Sequence, residues 1–216
     1  MKIQILISKN SWANKYKKEI KKNLKPFSKN IFFINNHKKL KKKYEICILF
    51  SYFNFIEKKF LKFSKHNLIL HESDLPKDRG MSPISWQIIK GMKVLTFSIL
   101  EAGNKIDNGN IYFKKKVKIN ENKIFTEIKE IQLTNNLYLI EKFLKYYKKF
   151  NKAPKAKKQE GNPTYLKLRT PSDSKLDINK SIKSQFNLLR ICDNENYPAF
   201  FNYKNHKFLI KLYKKK

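Results

Sequence analysis

Apolar positions along this chain fall into short runs separated by lysine-rich stretches. The clearest are Ile3-Gln4-Ile5-Leu6-Ile7, Asn30-Ile31-Phe32-Phe33-Ile34, Ile46-Cys47-Ile48-Leu49-Phe50 and Asn67-Leu68-Ile69-Leu70-His71. Runs of about this length, apolar at successive positions, predict strands buried on both faces. Residues 12–24 and about 55–64 carry helical spacing with lysines on the outer side. Strands alternating with helices predict an α/β fold, a mostly parallel sheet covered by helices on both sides. Ser82-Pro83 starts a helix over about 83–90, with Pro at the first helical position and Gly91 as the stop. Val94–Leu100 and Asn110–Ile119 read as further strands joined through Asp107-Asn108-Gly109, and a long helix is predicted over about 121–150. Asn151–Pro163 reads as a linker. Beyond it, Asp177 is placed to cap a helix of about 178–191, and residues 198–203 and 206–213 form a hairpin turning at Lys204-Asn205. The expected division is 1–150 as the main domain and 151–216 as a linker with a small helix-plus-hairpin subdomain.

Composition narrows the function classes. With 41% hydrophobic and 14% aromatic residues the chain can bury a core. No apolar run reaches the roughly 18 residues of a membrane span. The first run is shorter than a signal-peptide core, so no membrane insertion and a cytoplasmic location are expected. Cys47 and Cys192 lack paired spacing, which fits a reducing compartment. His37, His66, His71 and His206 show no metal-ligand spacing. The net charge of +32 comes from 49 Lys and Arg against 17 Asp and Glu, and only Arg79, Arg169 and Arg190 are arginines. Phosphate and base recognition favours the arginine fork. The scattered lysines, including the run 214–216, therefore read as a solvated surface rather than as a nucleic-acid site.

Candidate chemistry gathers where the glycines gather: of five, Gly80, Gly91, Gly103 and Gly109 lie within residues 80–109. His71 ends a predicted strand, and ligands bind at the carboxyl ends of strands in open α/β sheets. Leu75-Pro76 and Arg79-Gly80 shape a rigid loop beside it, and Asp107 arrives from the next crossing. A histidine with a carboxylate accepts a proton and stabilises the resulting imidazolium. No serine or cysteine nucleophile stands out, which favours direct acyl transfer. Arg79 either ties down its loop through Asp78 or Asp74 or contacts a ligand. Arg169 and Arg190 read as ion pairs with Asp173, Asp177 or Asp193, and Trp12 and Trp86 as packing residues.

His71-x-Ser73-x-Leu75-Pro76-x-x-Arg79-Gly80-x-x-Pro83, then Gly91, then Asp107-x-Gly109, resembles the signature of formyltransferases that use 10-formyltetrahydrofolate. The motif match covers about residues 66–112, and the α/β pattern extends it over 1–150. The resemblance implies a Rossmann-like formyltransferase fold and formyl transfer from the folate to an amine. It implies His71 as catalytic base, Asp107 as its carboxylate, and a folate pocket at Ser73, Leu75, Pro76, Arg79 and Gly80. The family places an asparagine two residues before the histidine to hold the oxyanion, but this chain has Ile69 there. Asn67 is the candidate substitute, about 6–7 Å further back along the strand, with Ser73 or a backbone N–H as alternatives.

The stretches Arg169–Asp177, Gln185–Arg190 and Asp193–Phe201, most recognisably Tyr197-Pro198-Ala199-Phe200-Phe201, resemble the tails of bacterial formyltransferase-like proteins thought to act on nucleotide-linked amino sugars in surface-glycan synthesis. That resemblance implies Arg190, Asp193 and Tyr197 in the acceptor cleft. Two alternatives stand beside it. Formylation of methionyl-tRNA is supported by charge, and opposed by the few arginines and by a tail that looks too short for the tRNA enzyme's extra domain. A non-catalytic folate or sugar-nucleotide binding module is supported by Ile69. A homodimer is left open.

Overall fold

The computed structural model describes residues 1–215; Lys216, the end of the 214–216 lysine run and of the 151–216 segment, lies outside the described residues. The strands are β1 (Lys2–Leu6), β2 (Asn30–Ile34), β3 (Tyr44–Leu49), β4 (Ser64–His71), β5 (Arg79–Gly80), β6 (Val94–Glu101), β7 (Ile111–Lys118), β8 (Tyr165–Leu166), β9 (Ala199–Tyr203) and β10 (His206–Ile210). The helices are α1 (Lys17–Leu24), α2 (Lys58–Leu61), α3 (Pro83–Ile89), α4 (Phe125–Phe150) and α5 (Ile182–Arg190). Six strands form one sheet in the order β2-β1-β3-β4-β6-β7. The pairs β1–β2, β1–β3 and β3–β4 are parallel, while β4–β6 and β6–β7 are antiparallel. The sheet is thus mixed but mostly parallel, as the run pattern predicts.

Alternation along each strand divides the core between two faces. Ile46, Ile48, Leu68 and Leu70 join α1, α3 and α4 in the main cluster. Cys47, Leu49 and Ile69 face the other way, toward Tyr52, Phe60 and Leu61. This second face departs from expectation. The helix predicted over 55–64 is a single turn, α2, and residues 51–57 are a loop. Ser51 takes φ +53, and Phe53 N donates to Ser8 Oγ at 2.8 Å. Those tethers hold the segment across the strand ends instead of letting it coil. Helices α1, α3 and α4 therefore cover one face of the sheet, and the thin cover on the other leaves space above β3 and β4.

The C-terminal segment leaves α4 at Phe150, where Asn151 sits in the left-handed region and donates to Tyr147 O. It is no free linker: Lys157 exchanges backbone hydrogen bonds with Ile111, and β8 pairs parallel with β5. The hairpin β9–β10 turns at Lys204 (φ +44) and Asn205 (φ +62). Positive φ at both central residues suits the twist of a two-residue hairpin loop. Leu176, Leu189, Cys192 and Ala199 give this segment a small core of its own. α5 is capped by Ser181, whose hydroxyl accepts from Ser184 N, and not by Asp177. Asp177 lies too far upstream and instead makes a local turn with Asn179, while Gln185 folds back onto its backbone. Among the described residues no helix is long and apolar enough to cross a membrane.

Candidate functional site

A cavity of about 1060 Å³ opens over the carboxyl ends of the parallel strands. Its wall combines residues 9–14 after β1, the 51–56 loop after β3, the His71–Glu72 end of β4, residues 80–85 into the first turn of α3, the 102–107 loop, the first turns of α4, and parts of the C-terminal segment between Tyr165 and Tyr197. Buried aliphatic strands carry the chain to one edge of the sheet, and the polar loops that must turn there converge on the same space.

His71 and Asp107 meet on this wall, buried at 4% and 9% exposure. Nδ1 of His71 lies 3.5 Å from Oδ2 of Asp107. Nε2 lies 2.8 Å from the carbonyl oxygen of Asp78. A carbonyl only accepts, so Nε2 carries the proton of the neutral ring and Nδ1 is the free base. The 3.5 Å separation is longer than a formed hydrogen bond, as suits a pair that closes when the ring is protonated. The resulting imidazolium would point one N–H at a carboxylate and the other at a carbonyl, both of them acceptors.

Asp107 is placed by backbone. Its φ is +48, and its Oδ2 accepts from Gly80 N at 2.8 Å. Gly80 itself has φ +97, and a Cβ there would sit 2.5 Å from Leu166 O, against β8. Gly109 is needed for the same turn, because a Cβ on it would run into the carbonyl of Glu101. Gln159 then clips the two loops together. Its Nε2 donates to the carbonyls of Asp107 (2.7 Å) and Gly109 (2.8 Å), and its Oε1 accepts from Arg79 Nη2 (2.7 Å) and Nε (3.2 Å).

The other sequence-predicted residues divide. Gly80, Asp193 and Tyr197 line the cavity; Ser73, Leu75, Pro76, Arg79, Arg190 and Asn67 do not. Asn67 is turned away, its amide donating to Leu61 O at 3.0 Å, so it bolts α2 to the sheet. Ile69 lines the cavity in the position one strand repeat nearer His71. Ser73 is fully buried and donates to Lys77 O. Leu75 packs with Leu100 and Ile111, and Pro76 O accepts from Thr164 N. Arg79 is tied to Gln159 and Tyr165 rather than to Asp74 or Asp78. Arg190 donates to Asn187 Oδ1 and to the carbonyls of Lys123 and Asn120, which fastens α5 to the start of α4. Burial holds its guanidinium below the usual range. Arg169, which does line the cavity, donates to Ile191 O, Ser174 Oγ and Cys192 Sγ. Neither arginine forms the expected ion pair among the described residues; Asp173 pairs with Lys167 and Asp177 with Lys180, and Asp193 accepts from the backbone of its own turn. Trp12, expected only to pack, also lines the cavity.

Residues absent from the sequence reading include Glu72, Lys129, Gln132 and Gln159. Gln159 had no visible signal. Lys129, Gln132 and Asn136 did leave one: they interrupt the apolar face of α4 at helical spacing. The cysteines take no part. Burial pushes the Cys47 thiol up to about 12, and Cys192 is engaged by Leu188 O and Arg169.

A profile of the formyl transferase family matches residues 21–135. Over 182 residues the chain is 31% identical to the bifunctional polymyxin resistance protein ArnA of Wigglesworthia glossinidia brevipalpis, covering 84% of this chain and 27% of that protein. It is 32% identical to the methionyl-tRNA formyltransferase of Thermodesulfovibrio yellowstonii over 147 residues, covering 68% and 47%. The chain thus spans about half or less of the length of these curated relatives. Among solved structures, methionyl-tRNA formyltransferase from Clostridium thermocellum aligns with a TM-score of 0.77 at 24% identity, covering 96% of this chain and 90% of that one. A sugar N-formyltransferase from Shewanella sp. aligns at 0.69 and 17% identity, covering 98% and 97%. HypX from Aquifex aeolicus in complex with tetrahydrofolic acid aligns at 0.74 and 15% identity, covering 97% and 37%. At these identities the structural matches speak for the fold.

Proposed function

The chain belongs to the formyl transferase family, and on that premise we propose that it transfers a formyl group from 10-formyltetrahydrofolate to the amine of a nucleotide-linked amino sugar. The observation that carries the reading is the His71–Asp107 pair on the wall of a cavity of about 1060 Å³, above the volume of most single-ligand pockets. The lining fits a folate. Met81, Leu166, Leu168 and Ile106 offer apolar surface to a flat ring, and Lys105 stands on the same wall as a cation for a carboxylate tail. When bound, the folate supplies an activated formyl carbon. The chain's own work is to orient the amine, exclude water and take its proton at Nδ1 of His71, with Asp107 stabilising the charge formed. General-base steps of this kind contribute about 10²–10⁴-fold. Tyr197 and Trp12 provide aromatic faces for a sugar or base.

The test is mass spectrometry of the purified protein with 10-formyltetrahydrofolate and a panel of UDP-, dTDP-, GDP- and CMP-linked amino sugars, with methionyl-tRNA included because curated relatives carry that name. A product heavier by one formyl group, absent with His71→Ala, is expected on a nucleotide sugar. Formylation of the tRNA alone would overturn the acceptor.

Ile69 favours a second reading, a binding module without turnover. With Asn67 bonded to Leu61 O, no side-chain amide is supplied from the family's position beside His71. Such donors lower barriers by about 2.7–4 kcal/mol. Folate binding without product, together with turnover gained by Ile69→Asn, would establish it.

A further inference from the structure

Glu72 follows His71 directly, lines the same cavity and is only 7% exposed. Lys129, Gln132 and Asn136 fall at helical spacing on one side of α4; Gln132 and Asn136 meet Glu72, and Lys129 stands behind Gln132. Gln132 Nε2 and Asn136 Nδ2 both donate to Oε1 of Glu72, each at 2.8 Å. Lys129 Nζ, which can only donate, holds Gln132 Oε1 at 2.9 Å and so fixes which end of that amide faces Glu72. Asn136 makes its bond while leaving its own Oδ1 buried without a partner. An unmet buried acceptor of this kind costs about 1–3 kcal/mol. Gln87 Nε2 holds the Glu72 carbonyl at 2.6 Å.

Both side-chain amides fasten the same carboxylate oxygen, Oε1. Oε2 of Glu72 accepts from none of the described side chains, and it is not among the sealed-off polar atoms. No salt bridge closes on Glu72 among the described residues; Lys129, one amide away, is its nearest cation in this network. A buried carboxylate is costly unless it is paired. Here two amides, one of them left half-satisfied, fix the carboxylate and leave Oε2 unbonded on a residue that lines the same cavity as the base.

We propose that Glu72 is the acceptor-binding residue, its Oε2 receiving the amino group of the acceptor next to His71, so that this oxygen selects an amine over a hydroxyl. The inference rests on the formyl-transfer reading above. A primary alkylamine arrives protonated, carrying a positive charge that can bond Glu72 directly, as Lys129, one amide away, does not. One N–H proton passes to Nδ1 of His71 and the bonding pair stays on nitrogen. That pair forms the bond to the formyl carbon as the bond from this carbon to the folate nitrogen breaks. The proton on His71 passes to the departing nitrogen, and a second amine proton leaves to solvent. The amine's N–H bonds to Oε2 hold it in place up to that point.

The test uses calorimetry with the same UDP-, dTDP-, GDP- and CMP-linked amino sugars, each beside the nucleotide sugar that carries a hydroxyl in place of the amine. The wild-type protein should bind the amino sugar that serves as acceptor, its amine still free, about 10-fold or more tighter than its hydroxyl counterpart, a charge-assisted difference. Glu72→Gln should bind the two alike. It should raise the acceptor KM about 10-fold, leave the folate KM unchanged and change kcat only a few-fold. Equal affinity of the wild type for both compounds overturns the proposal without any variant, so it stays decided if Glu72→Gln fails to fold. An undiminished preference in folded Glu72→Gln overturns it too. Absence of formylated product across the panel is a separate failure, which removes the formyl-transfer reading and this inference with it.

Discussion

His71 and Asp107 are held mostly by backbone, whereas Glu72, one residue on, is held by side chains. On the first wall the fixed points are the Asp78 carbonyl, the Gly80 N–H and the Asp107 and Gly109 carbonyls gripped by Gln159. On the second they are Gln132, Asn136 and Gln87, reaching from two helices. A backbone scaffold is specified by where glycine and turn residues fall, and it is intolerant of any Cβ in the wrong place. A side-chain scaffold is specified by helical spacing and yields to single substitutions without moving the chain. The two walls should therefore fail in different ways.

The largest effect should come from the base itself. His71→Gln keeps a polar side chain but removes the titrating nitrogen, and kcat in single-turnover assays should fall by about 10²–10⁴-fold with the melting temperature little changed. A loss of only a few-fold would move the base elsewhere. Gly80→Ala comes next and attacks the same wall through the chain. With φ at +97 and Leu166 O 2.5 Å from the added carbon, stability should drop by about 1–3 kcal/mol. Activity should drop with it, because the N–H that orients Asp107 must shift. Denaturant midpoints and kcat measured on the same preparation would expose any separation of the two losses, which the backbone account forbids. Gln159→Leu should be milder, about 1–2 kcal/mol for the hydrogen bonds lost at a partly buried site. Its activity loss should fall mainly on kcat, since the Asp107 loop is loosened while the cavity lining is kept.

The same contrast explains what the sequence makes legible. Strands such as Ile46–Leu49 are readable because burial on both faces demands apolar residues at every position, and the long α4 is readable from its periodicity. The His71–Gly80 loop and Asp107-Asn108-Gly109 are readable because tight turns need particular residue types, and those types form a motif. What stayed hidden depends on contacts far apart in sequence. Gln159 lies in a stretch that looks like a lysine-rich linker, and the bridge of Lys157 to Ile111 with the pairing of β5 and β8 brings it to Asp107. The predicted helix over 55–64 shrank because tethers from Ser8 hold the preceding loop, a tertiary constraint that periodicity cannot carry. Asn67 has the right chemistry for an oxyanion donor but is taken by α2. Arg190 illustrates the reverse, a conspicuous residue spent on fastening one helix to the start of another.

The smallest effect expected is on stability alone, and it tests whether the second wall carries an electrostatic burden. Burial lowers the Lys129 pKa to about 8 from 10.5, only partly offset by the attraction of Glu72 and Asp193. Its ammonium lies 5.0 Å from the Trp12 ring and 5.3 Å from that of Phe125. Because the folded pKa is the lower one, the unfolded chain binds more protons between about pH 8 and 10.5, and the contribution of Lys129 to stability rises with pH across that window. Below about pH 8 the penalty for the buried charge is present in full. Lys129→Met keeps the aliphatic stem and removes the charge, so its stability relative to the wild type should be highest at pH 7 and fall toward pH 10. The fall should be about 1 kcal/mol, a figure reduced for the part of the side chain that reaches water. Taking the difference between the two proteins cancels the other lysines, which titrate in both. A difference flat from pH 7 to 10 would mean that Lys129 is well solvated and orders Gln132 at no cost. A falling difference would mean that the wall facing the acceptor is kept charged at the expense of the fold, as expected of residues retained for what they bind.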